Sequence, residues 1–478
     1  MQEYKYYIGG EFRKSKQTIE VVNSATEESF AHIFEATQLD LDDAVKYAKG
    51  AQKQWRAQPY KERAKILREI SRIILDNLSA LAEIESKEIG KPLKESLFVD
   101  IPLAAQCFDY YASFLEILEN EIIQVEGGVS SISYDPYGVC AVYLPYNVPL
   151  MIFGFCCAAA LAAGNSLIVK PSEYGSLSLL ELVKHLDKLD IPKGLINIVT
   201  GPGPTVGKWL AESEADLISF TGSRDTLKKI FSQTAQSPKK IICELGGCNI
   251  TAIFSDADIK SALENILASA FMKQGQICIG TSAALIQEDI YEVFVKELIQ
   301  KAEMIKVGDP FDPSIGMGSL VTKEHLLNID KKVKNITKMG GKVLTGGKIL
   351  KKKGYFYPPT VIAINEMVYE EFFAPVILIR RFRDEDEIEK VLEDNPTGLV
   401  AQIWTSNLKR ADSLAKKAHC GTVWINTFVQ MTPQIPFGGM QQSGWGRNLG
   451  RFGFFEYVQP KHIGIGHKKS PVEGWFGL

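Results

Sequence analysis

Three side chains in this sequence are of the types that acyl chemistry needs, and each stands where the local text interrupts a regular element. Cys278 lies in FMKQGQICIGTS, Phe271 to Ser282, just after Gly275 and Gln276. A thiol in a glycine-opened loop is reachable by a small electrophile, or it is one more packed cysteine. Cys156 and Cys157, by contrast, stand in an alanine-rich run and read as packing. Glu244, in CELGGCN, ends an apolar run before two glycines. It reads as a general base or as an ordinary salt-bridged glutamate. Asn147, in PYNVP, carries amide hydrogens that can receive an oxyanion, and asparagine is also a common turn residue.

Three further stretches end apolar runs and suit an anionic or hydroxyl-bearing ligand. KPSE, Lys170 to Glu173, offers a carboxylate that can accept from two ribose hydroxyls, or forms a solvated loop. GPGPTVG, Gly201 to Gly207, either lets a phosphate approach a helix start or closes a tight turn; its spacing is not GxGxxG. FTGS, Phe220 to Ser223, offers Gly222 and Ser223 to an anion or caps a helix.

The elements that must position these residues follow from periodicity. Ala64, Leu67, Ile70, Ile74, Leu78 and Leu81 recur at helical steps, and a second helical stretch covers roughly 95–118. SISYDPYGVCAVYLP reads as two strand-like runs joined by a hairpin or a sheet corner. From Gly138 to Ser223 short apolar strands alternate with helices, which implies a parallel sheet covered on both faces. KIICELGG and NITAIF then read as strands, a helix is expected from Asp258 to Gln274, and αβ units continue to about Ile435. The expected fold is two α/β domains in series with a cleft between them.

Composition narrows the function classes. With 478 residues and a formal net charge of −3, the chain supports a large core and gives no electrostatic argument for nucleic acid or an anionic membrane. The longest apolar run, Pro149 to Gly164, is shorter than the roughly 20 residues of a membrane span. The first residues, MQEYKYYIGGEF, show no basic stretch followed by an apolar one, so no secretory leader is expected. The eight cysteines form no CxxC pair and the six histidines no HxxxH, so no metal site is expected. Unpaired cysteines suit a reducing cytoplasmic setting.

Taken together, YIGGEF, LPYNVPL, KPSE, INIVTGPGPTVG, FTGS, ELGG, GQIC, EEFFAPV, GTVWIN and PFGGMQQSGWGR resemble the aldehyde dehydrogenase superfamily, in order and over nearly the whole chain. ELGG and GQxC are the most specific pair, with Glu244 and Cys278 separated by 34 positions as in the family. The resemblance implies a Rossmann-type parallel-sheet cofactor domain, an α/β catalytic domain and a small β oligomerisation arm. Residues 1–118 and 139–243 would form the NAD-binding domain and 244–435 the catalytic domain. Residues 119–138 and 436–478 would form the arm and C-terminal segment. The roles it carries over are Cys278 as nucleophile, Glu244 as general base and Asn147 as oxyanion donor. Lys170, Glu173, Gly222, Ser223, Leu245, Glu371 and Phe373 would hold NAD. Met151, Phe155, Ile277, Ile279, Met431 and Phe437 would line an aldehyde tunnel, all apolar. The implied reaction is oxidation of an aldehyde through a thioester that water hydrolyses, in a dimer or tetramer.

The chain also departs from the family pattern. Cys248 and Gln441 replace lysines, Ala283 an arginine, and Ala374 and Leu227 glycines. Cys156 and Gln459 replace a lysine and a glutamate of a proton path that serves the general base, so slow or pH-shifted deacylation is expected. Two other readings remain at this point: a thioesterase or ester hydrolase using the same cysteine and glutamate, and a non-catalytic family member.

Overall fold

The computed structural model describes residues 1–467 together with Trp475 and Gly477. The apolar run that is too short for a membrane forms the helix Pro149–Ala163, with proline in its first turn and Gly164 closing it at φ 100°. Every residue of that helix is buried. Its Gly154 lies against the backbone of the helix Ile101–Ile117: a Cβ there would sit 2.6 Å from the Ala104 Cα. Small residues thus let this helix run through the middle of the core. No helix among the described residues is long and apolar enough to cross a membrane.

The first large sheet has eight strands. Its inner five run in the order Lys240–Leu245, Leu217–Gly222, Val139–Leu144, Ser166–Pro171, Ile196–Ile198, all parallel. The chain moves outward from Val139–Leu144 in one direction, then returns to the other side with Leu217–Gly222. Such a reversal opens a crevice at the carboxyl ends of the strands, where ligands bind in doubly wound sheets. KPSE, FTGS, PYNVP and ELGG all fall on that edge.

The second sheet has seven strands, six of them parallel, with Lys342–Thr345 antiparallel at one edge. The strands Lys240–Leu245 and Asn249–Ile253, nearly adjacent in sequence, belong to different sheets. The GGC step between them therefore carries the chain across the cleft. A third sheet, of three antiparallel strands, joins Glu121–Val125, Gly128–Pro136 and Val458–Gly466. The architecture is thus α/β, with a Rossmann-type parallel sheet, a second α/β unit and a small β unit.

Three local outcomes sharpen the periodicity reading. SISYDPYGVCAVYLP is a corner rather than a hairpin, since Gly128–Pro136 and Val139–Leu144 lie in different sheets. The stretch expected as one helix over roughly 95–118 is interrupted by a π-helical turn at Ser96–Asp100 before Ile101–Ile117. The helix expected from Asp258 to Gln274 starts as expected, with the Asp258 side chain accepting from Ser261 N, but stops at Phe271. Lys273 and Gln274 adopt left-handed conformations, φ 52° and 58°, followed by Gly275 at φ 67°. Left-handed backbone at two side-chain-bearing residues costs on the order of 1 kcal/mol each. A Cβ on Gly275 would lie 2.1 Å from the Ala374 carbonyl oxygen, so that position requires glycine.

Candidate active site

A cavity of about 830 Å³ opens at the carboxyl edge of the first sheet and reaches loops of the second. Asn147, Lys170, Glu173, Gly222, Ser223, Glu244, Leu245, Cys278, Glu371 and Phe373 all line it, as do Gly203 and Gly207 of GPGPTVG. Phe155 and Phe437 line it too, with their rings edge-on at 6.4 Å. Met151, Ile277 and Ile279 are buried and Met431 is half-buried in the apolar cluster that also holds those two phenylalanines; these four do not line the cavity. Ile277 instead borders a small separate cavity behind the cysteine loop.

Cys278 is partly exposed, between buried Ile277 and buried Ile279. Burial of its sulfur, then the carboxylates of Glu371 and Glu244, push the thiol up to about 12. The loop is held by its backbone. Asn249 Nδ2 donates to the carbonyls of Cys278 at 2.7 Å and Gly280 at 2.8 Å, while its Oδ1 accepts from Val400 N at 3.1 Å. Asn249 follows directly on the ELGGC text, yet nothing in its residue type separates it from a turn asparagine.

Glu244 is the penultimate residue of its strand, opposite Gly444 on one side and beside Thr221 on the other. It is buried, and among the described residues neither carboxyl oxygen has a hydrogen-bond partner. Burial holds its pKa well above the usual carboxylate range; Arg447 and the nearby Gly439 N–H oppose the push, and Glu456 adds to it. A Cβ on Gly438, in the PFGG text, would come within 2.6 Å of Glu244 Oε1, so the carboxyl occupies the space that glycine leaves. A buried carboxyl with unused oxygens facing a cavity is poised to accept a proton from water.

Asn147 Nδ2 donates to the Gln276 carbonyl at 2.8 Å. That uses one amide hydrogen and leaves the other for an oxygen in the cavity. The positions aligned with a proton path are uncharged: Cys156 is buried with its thiol raised to about 11 by burial, and Gln459 is exposed in the strand Val458–Gly466.

The other end of the cavity suits a ligand with hydroxyls and phosphates. Buried Lys170 Nζ donates to the Pro171 carbonyl at 3.2 Å and stands 3.8 Å from Glu173 Oε2, leaving donors unused. The Thr221 hydroxyl is buried without a partner. Ser223 caps the helix Arg224–Thr234, whose free N–H groups face the cavity edge. The Glu371 carboxyl packs on Gly246, where a Cβ would meet Oε1 at 2.1 Å, and burial raises its pKa to about 7. His325, Asn328 and Lys332 also line the cavity from one face of the helix Lys323–Lys338. His325 Nε2 lies 2.9 Å from the Phe373 carbonyl, and Lys332 Nζ donates to the Glu371 carbonyl at 2.8 Å. These three residues belong to no motif; only their i, i+3, i+7 spacing marks them.

Residues 12–463 match the aldehyde dehydrogenase family. The chain belongs to that family. Among curated relatives of this aldehyde dehydrogenase is the betaine aldehyde dehydrogenase of Bacillus subtilis (strain 168), 36% identical over 98% of this chain and 99% of the relative. The 2-aminomuconic semialdehyde dehydrogenase of Bos taurus is 34% identical over 96% and 98%. A Bacillus cereus aldehyde dehydrogenase, solved as an NAD⁺ complex, superimposes with a TM-score of 0.95 at 32% identity, over 98% of this chain and 97% of that one.

Proposed function

We propose that this aldehyde dehydrogenase oxidises an uncharged aliphatic or aromatic aldehyde to the free carboxylic acid, with NAD as cofactor. The observation that carries this reading is the convergence of Cys278, Asn147 and an unpartnered Glu244 carboxyl on one cavity. The Cys278 thiol gives up its proton to water, and Sγ bonds to the aldehyde carbon as the carbonyl π pair moves onto oxygen. The oxygen that becomes negative is received by the free Asn147 amide hydrogen and the Cys278 N–H. NAD, when bound, supplies the hydride acceptor and, in its oxidised form, a positive charge that offsets the two carboxylates beside Cys278. After oxidation the acyl group remains on Cys278 as a thioester. Glu244 takes a proton from water, the water oxygen bonds to the acyl carbon, and the carbon–sulfur bond breaks to release acid and thiol.

The apolar wall near Cys278, with Val148, Ile152, Phe155, Leu399 and Phe437, supports an uncharged substrate. Among the described residues no arginine lines the cavity to pair with a second carboxylate. A screen of NAD-dependent oxidation across aliphatic, aromatic and acidic aldehydes decides this. The reading expects turnover with the first two groups and sinks if only acidic aldehydes react.

In this reading residues 1–118 and 139–243 hold NAD, and 244–435 carry the nucleophile. The three-stranded sheet serves self-association, which its exposed Ile122, Ile123, Ile463 and Ile465 support. Residues 468–474, 476 and 478 of the 436–478 segment lie outside the described residues.

Two expectations concern the cofactor. Glu173, half-buried beside Lys170, accepts from a 2′-hydroxyl and repels a 2′-phosphate, so NADP should bind about tenfold or more weakly than NAD. Calorimetric Kd values measure this, and equal affinities would refute it. Glu371 titrates near 7, and its ionised form is the one that accepts from a ribose hydroxyl and attracts the cation. The carboxyl is protonated below that pH and charged above it. The Kd for NAD should therefore fall as pH rises through about 7. Glu371→Gln should flatten that dependence; an unchanged slope in the variant would count against the role.

A further inference from the structure

We propose that Lys273, Asp100 and Lys91 are positioning residues that hold the Cys278 loop and the Asn147 turn in one rigid frame. The inference rests on the reading of Cys278 and Asn147 as reacting groups. Lys273 and Gln274 are the two left-handed residues that launch the cysteine loop, and both are buried. Each sends its side chain into the segment 85–100. Lys273 Nζ contacts Asp100 Oδ1 at 2.6 Å, and Lys273 N donates to Glu95 Oε1 at 3.0 Å. Gln274 Nε2 donates to the carbonyls of Gly90 at 2.6 Å and Ser319 at 3.0 Å.

The other Asp100 oxygen contacts Lys91 Nζ at 2.6 Å, and Lys91 also contacts Glu85 Oε1 at 2.5 Å. Lys91 Nζ reaches the Asn147 carbonyl at 3.5 Å. The Asn147 amide in turn holds the Gln276 carbonyl in the cysteine loop at 2.8 Å. A closed circuit results: cysteine loop, Lys273, Asp100, Lys91, Asn147, and back to the cysteine loop. Asp100 ends the π-helical turn Ser96–Asp100, an irregularity that is frequent at functional sites.

None of Glu85, Lys91, Asp100 or Lys273 lines the cavity, so their effect on the chemistry passes through the groups they hold. Buried ion pairs are weak stabilisers compared with apolar packing, so a chain of four charges, Glu85, Lys91, Asp100 and Lys273, is better explained by geometry than by stability. A displacement of about 1 Å in such a frame can lower turnover about 100-fold.

Full-length Lys273→Met, Lys273→Gly and Lys273→Arg decide the matter, with Cys278→Ala alongside. Glycine accepts the left-handed backbone without strain and leaves Asp100 paired with Lys91. It therefore separates the anchor from local backbone strain. The proposal expects kcat to fall about 100-fold in the methionine and glycine variants while KM and the Kd for NAD stay within about threefold. Lys273→Arg should recover much of the loss. If Lys273→Gly turns over at the wild-type rate, the anchor is refuted. The same holds if kcat and NAD affinity collapse together in the glycine variant. An inactive Cys278→Ala beside a fully active Lys273→Gly refutes the anchor alone, whereas an active Cys278→Ala refutes the reading of the site itself.

Discussion

Cys278→Ala should abolish NADH formation from every aldehyde, with turnover down by more than about 10⁴-fold, while NAD binding persists. The expectation has two parts. The first is that no other thiol replaces Cys278. Cys107, Cys140, Cys156, Cys157, Cys243 and Cys248 are buried, and half-buried Cys420 does not line the cavity. The second is that the loop survives the loss of sulfur. Three of its bonds run through the Cys278 and Gly280 carbonyls to Asn249 and through the Gln276 carbonyl to Asn147, and none of these three uses Sγ. Steady-state NADH formation and a calorimetric titration of NAD measure the two parts separately. Retained turnover would remove the cysteine from the mechanism.

Glu244→Gln should give one NADH per site and then only a slow phase, because acyl transfer to Cys278 proceeds while hydrolysis lacks its base. General-base assistance contributes about 10² to 10⁴-fold, and that factor is the expected loss in the slow phase. The substitution conserves shape. Neither Glu244 oxygen holds a partner, so an amide there breaks no existing bond. Its raised pKa sets the sign of the pH dependence: hydrolysis in the wild-type chain should accelerate as pH rises and the carboxyl ionises. The neutral thiol at Cys156 and the exposed side chain of Gln459 offer Glu244 no charged relay. Deacylation should thus already be the slow step in the unaltered chain, visible as a burst of NADH before the steady rate. A stopped-flow trace of each form checks both statements. A linear wild-type trace, or undiminished turnover in Glu244→Gln, would contradict them.

Much of this site is legible in the text because β–α alternation forces the loops after successive parallel strands to one edge. KPSE, FTGS and ELGG each end a strand, so their convergence follows once the strands are recognised. What periodicity cannot express is the change of sheet. Lys240–Leu245 and Asn249–Ile253 read alike, yet Gly246, Gly247 and Cys248 carry the chain from one sheet to the other. The left-handed turn at Lys273 and Gln274 is invisible for a related reason, since neither residue type favours it. Tertiary bonds hold it there. His325, Asn328 and Lys332 read only as the polar face of an amphipathic helix, because a face toward a ligand and a face toward water carry the same pattern. Gly438 stands in the PFGG stretch, but its purpose, room for the Glu244 carboxyl, shows only in three dimensions.

The most direct measurement is the intact mass of Glu244→Gln, quenched after mixing with NAD and an aliphatic aldehyde, followed by peptide mapping. The account predicts one acyl group per chain, joined as a thioester to Cys278 in the peptide that contains FMKQGQICIGTS. NADH formation with Cys278 unmodified, or an acyl group on any other residue, would contradict it.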